Sequence, residues 1–184
     1  MKRDALSKEV VESGLTLRRP SAPEVTPQKK LILARLDSSG GYFKDNEGCP
    51  WYFDIEERTW RDLRDRDVHP MRLQDMPQLE TPGRTFDDLE VAVAHILGVC
   101  WRDRLEVQRK VMEGYEPTTP EDIKDLEDYK ALHKLYEELI AALERFEREG
   151  LNPKERDELR TTIADLFTRI ELPEEDDTAS TQHK

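Results

Sequence analysis

The sequence predicts a mainly α protein: an antiparallel three-helix bundle, two helices long and one shorter, with a small N-terminal antiparallel β-meander and flexible termini. Three observations predict it. Apolar residues recur at three- and four-residue steps through most of 85–172. Two helix starts carry a cap, a proline at the first helical position and acid in the first turn, at Thr119-Pro120-Glu121-Asp122 and Asn152-Pro153-Lys154-Glu155. Six of the 13 aromatic residues lie between Tyr42 and Trp60, ahead of those helices. The expected division is a flexible basic arm with short helices over 1–37 and an aromatic meander with an irregular connector over 38–84. The bundle follows over 85–172, and an acidic disordered tail over 173–184.

Residues 1–14 read as a short helix capped by Ser7, with Val10 and Val11 on one side and a stop near Gly14. Pro20, Pro23 and Pro27 then hold the chain extended, since each proline pushes its predecessor out of the α region. Lys30–Leu36 is apolar enough for a docked helical turn or an edge strand. Ser38-Ser39-Gly40-Gly41 reads as a flexible joint, without the Lys-Ser/Thr of a phosphate loop.

Strands are expected near 41–44, 50–55 and 58–62, with turns at Asp45–Gly48 and Glu56–Arg58. Alternation puts Trp51 and Phe53 on one face and Tyr52 on the other. A three-stranded meander buries too little by itself, and rings that each cover ~150–250 Å² compensate. One face therefore docks on the helices, and the other is either packed or a platform for a peptide or stacked bases. The stretch Gly48-Cys49-Pro50-Trp51-Tyr52-Phe53-Asp54, followed by Thr59-Trp60, resembles the middle strands of WW domains over about a tenth of the chain. It departs from them in a shorter second turn, no closing proline and a different spacing from the first tryptophan, so proline-peptide binding is not carried over. Residues 61–82 are a connector of mixed charge broken by Pro70, Pro77 and Pro82. His69-Pro70-Met71 lacks the aspartate of the His-Pro-Asp motif of J-domain co-chaperones.

The first bundle helix is expected to start at Thr85, with Asp88 closing a capping box, and to stop at Gly114. Phe86, Leu89, Val93, Ile96, Leu97, Cys100, Val107 and Val111 form its apolar stripe, and 91–101 should be the most buried part of the chain. The second helix runs from Thr119 to Glu149, with an apolar arc of roughly 200° that demands two packing partners. The third runs from Asn152 to Pro173 with the stripe Leu159, Ile163, Leu166, Phe167 and Ile170. Short connections at 114–118 and 150–152 make neighbours antiparallel. The third helix, about 28 Å long, is too short for partners of about 40–45 Å. The uncovered end is either capped by the meander or open to a partner. Leu132, Leu135, Leu139, Ala142 and Phe146 have coiled-coil spacing, for packing within the bundle or with a second copy.

The formal net charge is −12, yet residues 1–35 carry eight Lys/Arg against four Asp/Glu. Only this arm, through Arg18, Arg19, Lys29, Lys30 and Arg35, offers phosphate contacts. The longest apolar stretch, Val91–Trp101, contains His95 and is too short to span a bilayer. No apolar segment follows Met1-Lys2-Arg3-Asp4, and Cys49 and Cys100 form no disulfide framework, which together point to a cytoplasmic, reducing setting. GxSxG, HExxH, P-loop and Rossmann patterns are absent, and no Glu-x-x-His precedes His95 or His133. Cys49 beside Trp51 has no basic neighbour in sequence to activate it, and the histidines read as satisfied imidazoles. No catalytic, cofactor or metal residue is therefore assigned. The expected function is a non-catalytic protein–protein interaction, as an adaptor or assembly subunit with a protein partner or a second copy. Its candidate contacts are Tyr42, Phe43, Trp51, Tyr52, Phe53, Trp60, Leu132, Leu135, Leu139 and Phe146. Two alternatives stand beside it: an accessory factor of nucleic-acid machinery using the basic arm and the aromatics, and a metal-dependent enzyme with carboxylates in a helical cleft.

Overall fold

A computed structural model describes residues 22–64 and 77–171. The expected helix over 1–14, Pro20, Arg18, Arg19, His69, most of the connector and the acidic tail lie outside the described residues. Within them run five strands, β1 (Leu31–Asp37), β2 (Gly40–Asp45), β3 (Pro50–Asp54), β4 (Thr59–Asp62) and β5 (Thr85–Phe86). Three helices follow, α1 (Leu89–Met112), α2 (Pro120–Phe146) and α3 (Pro153–Glu171).

The three helices agree with the sequence, but the fold class needs correction. The β component is a five-stranded antiparallel sheet of order β4-β3-β2-β1-β5, larger than the small meander expected. The three expected strands are there as β2, β3 and β4. Lys30–Leu36, read as a helical turn or an edge strand, instead supplies β1, an interior strand between β2 and β5. Leu31 and Leu33 point into the core, and a bulge between Leu33 and Arg35 turns Leu36 inward as well.

The second addition is β5. Thr85 was expected to cap the first helix; instead it pairs with Ile32, and Phe86 pairs with Leu31 and is buried. Hydrogen bonds from Leu33 N to Arg84 O (2.8 Å) and from Gly83 N to Leu33 O (2.8 Å) extend this pairing. The helix cap passes to Asp88, whose Oδ1 accepts from Glu90 N (3.0 Å) and Val91 N (3.3 Å). Strand pairs 53 and 55 residues apart in sequence outcompete the local capping box.

The Ser38–Gly41 joint is also corrected. Ser38 and Ser39 make a tight turn, and Gly40 and Gly41 are strand residues under close constraint. A Cβ on Gly40 would lie 2.0 Å from the Phe53 carbonyl oxygen, and one on Gly41 2.8 Å from Ile96 Cδ1. The missing side chains let β3 and α1 approach β2 from opposite sides. Asp37 is fully buried at the turn and accepts from Ser39 N (2.9 Å), Ser39 Oγ (2.6 Å) and Arg35 Nε (3.2 Å).

One sheet face carries Leu31, Leu33, Phe43, Trp51, Phe53 and Trp60 into a core shared with Val93, Ile96, Leu97 and Cys100 of α1. Phe53 and Trp60 are register partners with ring centroids 5.1 Å apart. On its other side α1 packs antiparallel to α2, with Gly98 against Leu143, and α2 packs on α3. Helix α2 begins at the expected Thr119 cap and Pro120, and Asp122 completes a capping box there. Reciprocal bonds between Asn152 and Glu155, 2.9 and 3.1 Å, start α3 in the same way.

The β3–β4 turn joins sheet to helices through Arg58. This residue has φ +51°, is buried, sets its guanidinium 3.9 Å from the Phe167 ring centroid and donates to Glu171 Oε1 at 2.9 Å. Replacing it removes a desolvated cation–π contact worth about 2 kcal/mol and a partly exposed ion pair worth somewhat less. Arg58→Ala is therefore expected to lower stability by about 2–3 kcal/mol in urea titrations. Lysine should restore only part, because it lacks the planar face that stacks on Phe167. No helix among the described residues is long and apolar enough to cross a membrane.

Candidate docking surface

The packed core ends abruptly along the helices. Residues Ala92–Gly98 and Cys100 of α1 are buried, as are Tyr136, Leu139, Ile140, Ala142, Leu143 and Phe146 of α2. Between them, from Trp101 through Leu135, not one residue is fully buried. At 1.5 Å per residue, about 18 Å of α1 and about 24 Å of α2 extend past the core as a two-helix arm. Leu105, Gln108 and Met112 on α1, with Leu126, Tyr129 and Leu132 on α2, are half-buried.

The side of α1 that leaves the core can be followed residue by residue. Val93, Leu97, Cys100, Arg104, Val107 and Val111 follow at steps of four and three, one continuous stripe. Its inner part faces the sheet: Cys100 Sγ lies 3.3 Å from Asp37 O, and Arg104 pairs with Glu56 of the β3–β4 turn. Burial raises the Cys100 thiol to about 12, with Asp37 and Asp103 adding to the effect of the desolvated site, so it remains a neutral packing group. Past Arg104 the stripe runs on where no described strand lies. Val107 is 54 % and Val111 74 % exposed. Two further apolar side chains stand at the far end, Tyr115 at 41 % and Ile123 at 50 %.

Charge changes sign along the arm: residues 101–112 carry four Lys/Arg against two Asp/Glu. Residues 113–129 carry seven carboxylates and one lysine, Lys124. Asp122 is held below the usual carboxylate range by hydrogen bonds from Thr118 and Thr119. Desolvation, then the charges of Asp122 and Asp125, push the Tyr115 phenol up.

The other sequence candidates fall elsewhere. Phe43, Trp51, Phe53 and Trp60 are core residues. Tyr42 and Tyr52, on the opposite sheet face, stack on one another at 4.5 Å and are also buried. Desolvation pushes the Tyr42 phenol up to about 12, and Tyr52 donates to Ser39 O at 2.9 Å. Leu139 and Phe146 are buried, whereas Leu132 and Leu135 are half-buried at the root of the arm. Of the basic candidates, Lys30 is exposed, Lys29 lies 4.0 Å from Glu24, and Arg35 is bound to Asp37.

Sequence reasoning placed Val107 and Val111 in the core stripe. The available signal was the unequal helix lengths, which do point to an open end. A second feature joins residues that no spacing connects. His95 is buried with Nδ1 2.6 Å from Glu147 Oε1 and Nε2 2.9 Å from both Glu80 oxygens, while Arg84 Nη2 lies 3.3 Å from Glu147 Oε1. The Phe86 ring covers the imidazole at 5.4 Å. This clamp ties the segment before β5 to α1 and to the end of α2.

Asp45, Glu47 and Cys49 gather at the β2–β3 turn with ligand atoms within 4.8 Å of one another. Their contacts are already those of a turn: Asp45 Oδ1 accepts from Glu47 N and Cys49 N, each at 2.9 Å. Arg64, a basic neighbour brought in by β4, reaches Cys49 Sγ at 3.3 Å. Compared with protein-family models, curated proteins and solved structures, the chain finds no match.

Proposed function

We propose that the protein is a non-catalytic interaction module, an adaptor or assembly subunit that engages a protein partner through the apex of its α1–α2 arm. The observation that carries this reading is the stripe on α1. The same face that binds the sheet at Val93, Leu97 and Cys100 continues to Val107 and Val111 with nothing described upon it. Exposed apolar side chains scattered singly need no explanation, but a continued packing stripe is a packing surface that no described residue covers. The body behind it supplies a fixed base.

The test is site-specific photo-crosslinking of the full chain in its cell of origin, with the reactive residue at position 107 or 111. One defined protein adduct is expected, lost when the neighbouring valine becomes aspartate and absent when the reactive residue sits at Lys44, exposed on the sheet. No adduct at either position, or equal labelling at Lys44, would overturn the reading. Val111→Asp is expected to leave the midpoint of thermal unfolding within about 1–2 °C, since surface substitutions alter stability by no more than about 0.5 kcal/mol.

A further inference from the structure

We propose that the chain's own C-terminal segment, residues 172–177, lies along the α1 stripe and shields it from the partner. The proposal rests on the reading above and adds how that site is regulated. Its first support is where α3 leads. Arg156 bonds to Asp88 at 2.7 Å, Arg160 to Glu90 at 2.8 Å, and the Phe167 and Trp101 ring centroids lie 6.2 Å apart, so α3 runs parallel to α1. It also ends on the stripe's side, because the β3–β4 turn holds Glu171 through Arg58 and Arg104 through Glu56. Thirteen residues, 172–184, follow Glu171. Counted at 1.5 Å per residue from the shared level of Trp101 and Phe167, Leu172 falls within about 2 Å of the level of Val107. An extended chain of about 3.3 Å per residue then carries Glu174 and Glu175 to the levels of Lys110 and Val111.

Charge points the same way. Arg104 and Lys110 stand three residues to either side of Val107 on one helix face, with Asp103 the one acid within a turn on that face. Lys110 is exposed and makes no ion pair among the described residues. Residues 172–184 carry four acids, Glu174, Glu175, Asp176 and Asp177, against Lys184. Leu172 and Pro173 thus meet the valines, and the acids that follow meet the cations. A segment tethered beside its own site meets it at an effective concentration of order mM, so even a weak contact is populated. The rival segment, residues 1–21, carries five Lys/Arg against three Asp/Glu, the same sign as residues 101–112. A second copy packed stripe to stripe would set residues 101–112 against their own charge.

The experiment uses the purified full chain, dilute and monomeric, with the photoreactive residue at position 107. Peptide mass spectrometry is expected to map an adduct within the chain to residues 172–177. Its yield should fall about threefold when Glu174, Glu175, Asp176 and Asp177 become Gln or Asn, or when salt is raised from about 50 to about 500 mM. Lys110→Glu should weaken it by a similar factor, and Lys110→Glu combined with Glu174→Lys should restore it, with unfolding midpoints unchanged in all these variants. In the cell of origin, the neutralised segment should raise the yield of the partner adduct about threefold. No adduct within the chain, one confined to residues 1–21, or one joining two copies would overturn the inference while leaving the partner adduct to stand for the broader reading. Indifference of the 172–177 adduct to charge, or an unchanged partner yield, overturns it too. An adduct to residues 172–177 with no partner adduct from either form would keep the contact and overturn the broader reading instead.

Discussion

Gly40→Ala is expected to destabilise the protein by about 3–5 kcal/mol, a large part of the roughly 5–15 kcal/mol that holds an ordinary domain folded. Two costs combine. Gly40 has φ +154°, where an L side chain is strained by roughly 1–3 kcal/mol. The added Cβ would also stand 2.0 Å from the Phe53 carbonyl oxygen, and paired strand backbone cannot swing aside as a side chain can. Relief requires β2 and β3 to part, at a further cost of about 1–3 kcal/mol. Gly41→Ala is the control: its Cβ meets the movable ends of Ile96 and Phe43 at 2.8 and 2.9 Å, and the loss should be about 1–2 kcal/mol. Urea titrations of the two variants decide the matter. Equal losses would show that space rather than backbone governs this corner.

The second large effect belongs to the His95 clamp. Burial draws the imidazole's pKa down, but its hydrogen bonds to Glu147 and Glu80, reinforced by their charges, outweigh it and hold the pKa above its ordinary value. With a carboxylate against each ring nitrogen, the folded state favours an imidazolium that donates to both. A group with its pKa raised in the folded state adds stability that is complete below its unfolded pKa of about 6.5 and is lost as pH climbs through the folded value. Thermal unfolding midpoints should accordingly decline on the alkaline side of pH 6.5, and His95→Gln should flatten that decline. With Arg84 still on Glu147, His95→Ala at pH 6 removes the imidazolium between Glu80 and Glu147. Because these two remain 26 % and 17 % exposed, the loss is expected near 2–3 kcal/mol, below the 3–5 kcal/mol of a fully buried pair. A wild-type midpoint that rises above pH 6.5, or a His95→Gln variant with the same profile as wild type, would refute this account.

These two sites also show where sequence reasoning reached and where it stopped. Proline caps and apolar stripes are local, and they placed α2 and α3 to within a few residues, because nothing distant competes with Thr119 or Asn152 for their hydrogen bonds. Leu31–Asp37 carries near-continuous apolar character, which suits a helical turn or a strand equally. Only pairing with Phe43 across a tight hairpin and with Phe86, 55 residues beyond Leu31, settles it. Gly40 and Gly41 carry the same ambiguity: a glycine pair signals either freedom or close approach, and the deciding atoms belong to β3 and α1. His95 was legible as a satisfied imidazole. Glu80, in a proline-rich connector, and Glu147, at the end of α2, were not, since three-dimensional proximity alone unites them. On the arm the difficulty ran the other way. Val107 and Val111 continue the core stripe without a break, so periodicity cannot tell where the sheet ends.

That unbroken helix governs what the arm can do. From Trp101 to Met112, α1 contains neither glycine nor proline, and its inner end is anchored by Leu97 and Cys100 in the core. The apex and the sheet thus share one stiff axis, with no hinge built in between. Anything seated at the apex is held at a set distance and angle from the sheet. The protein would then serve as a spacer as much as a holder, its reach written in the number of turns that α1 makes beyond Arg104.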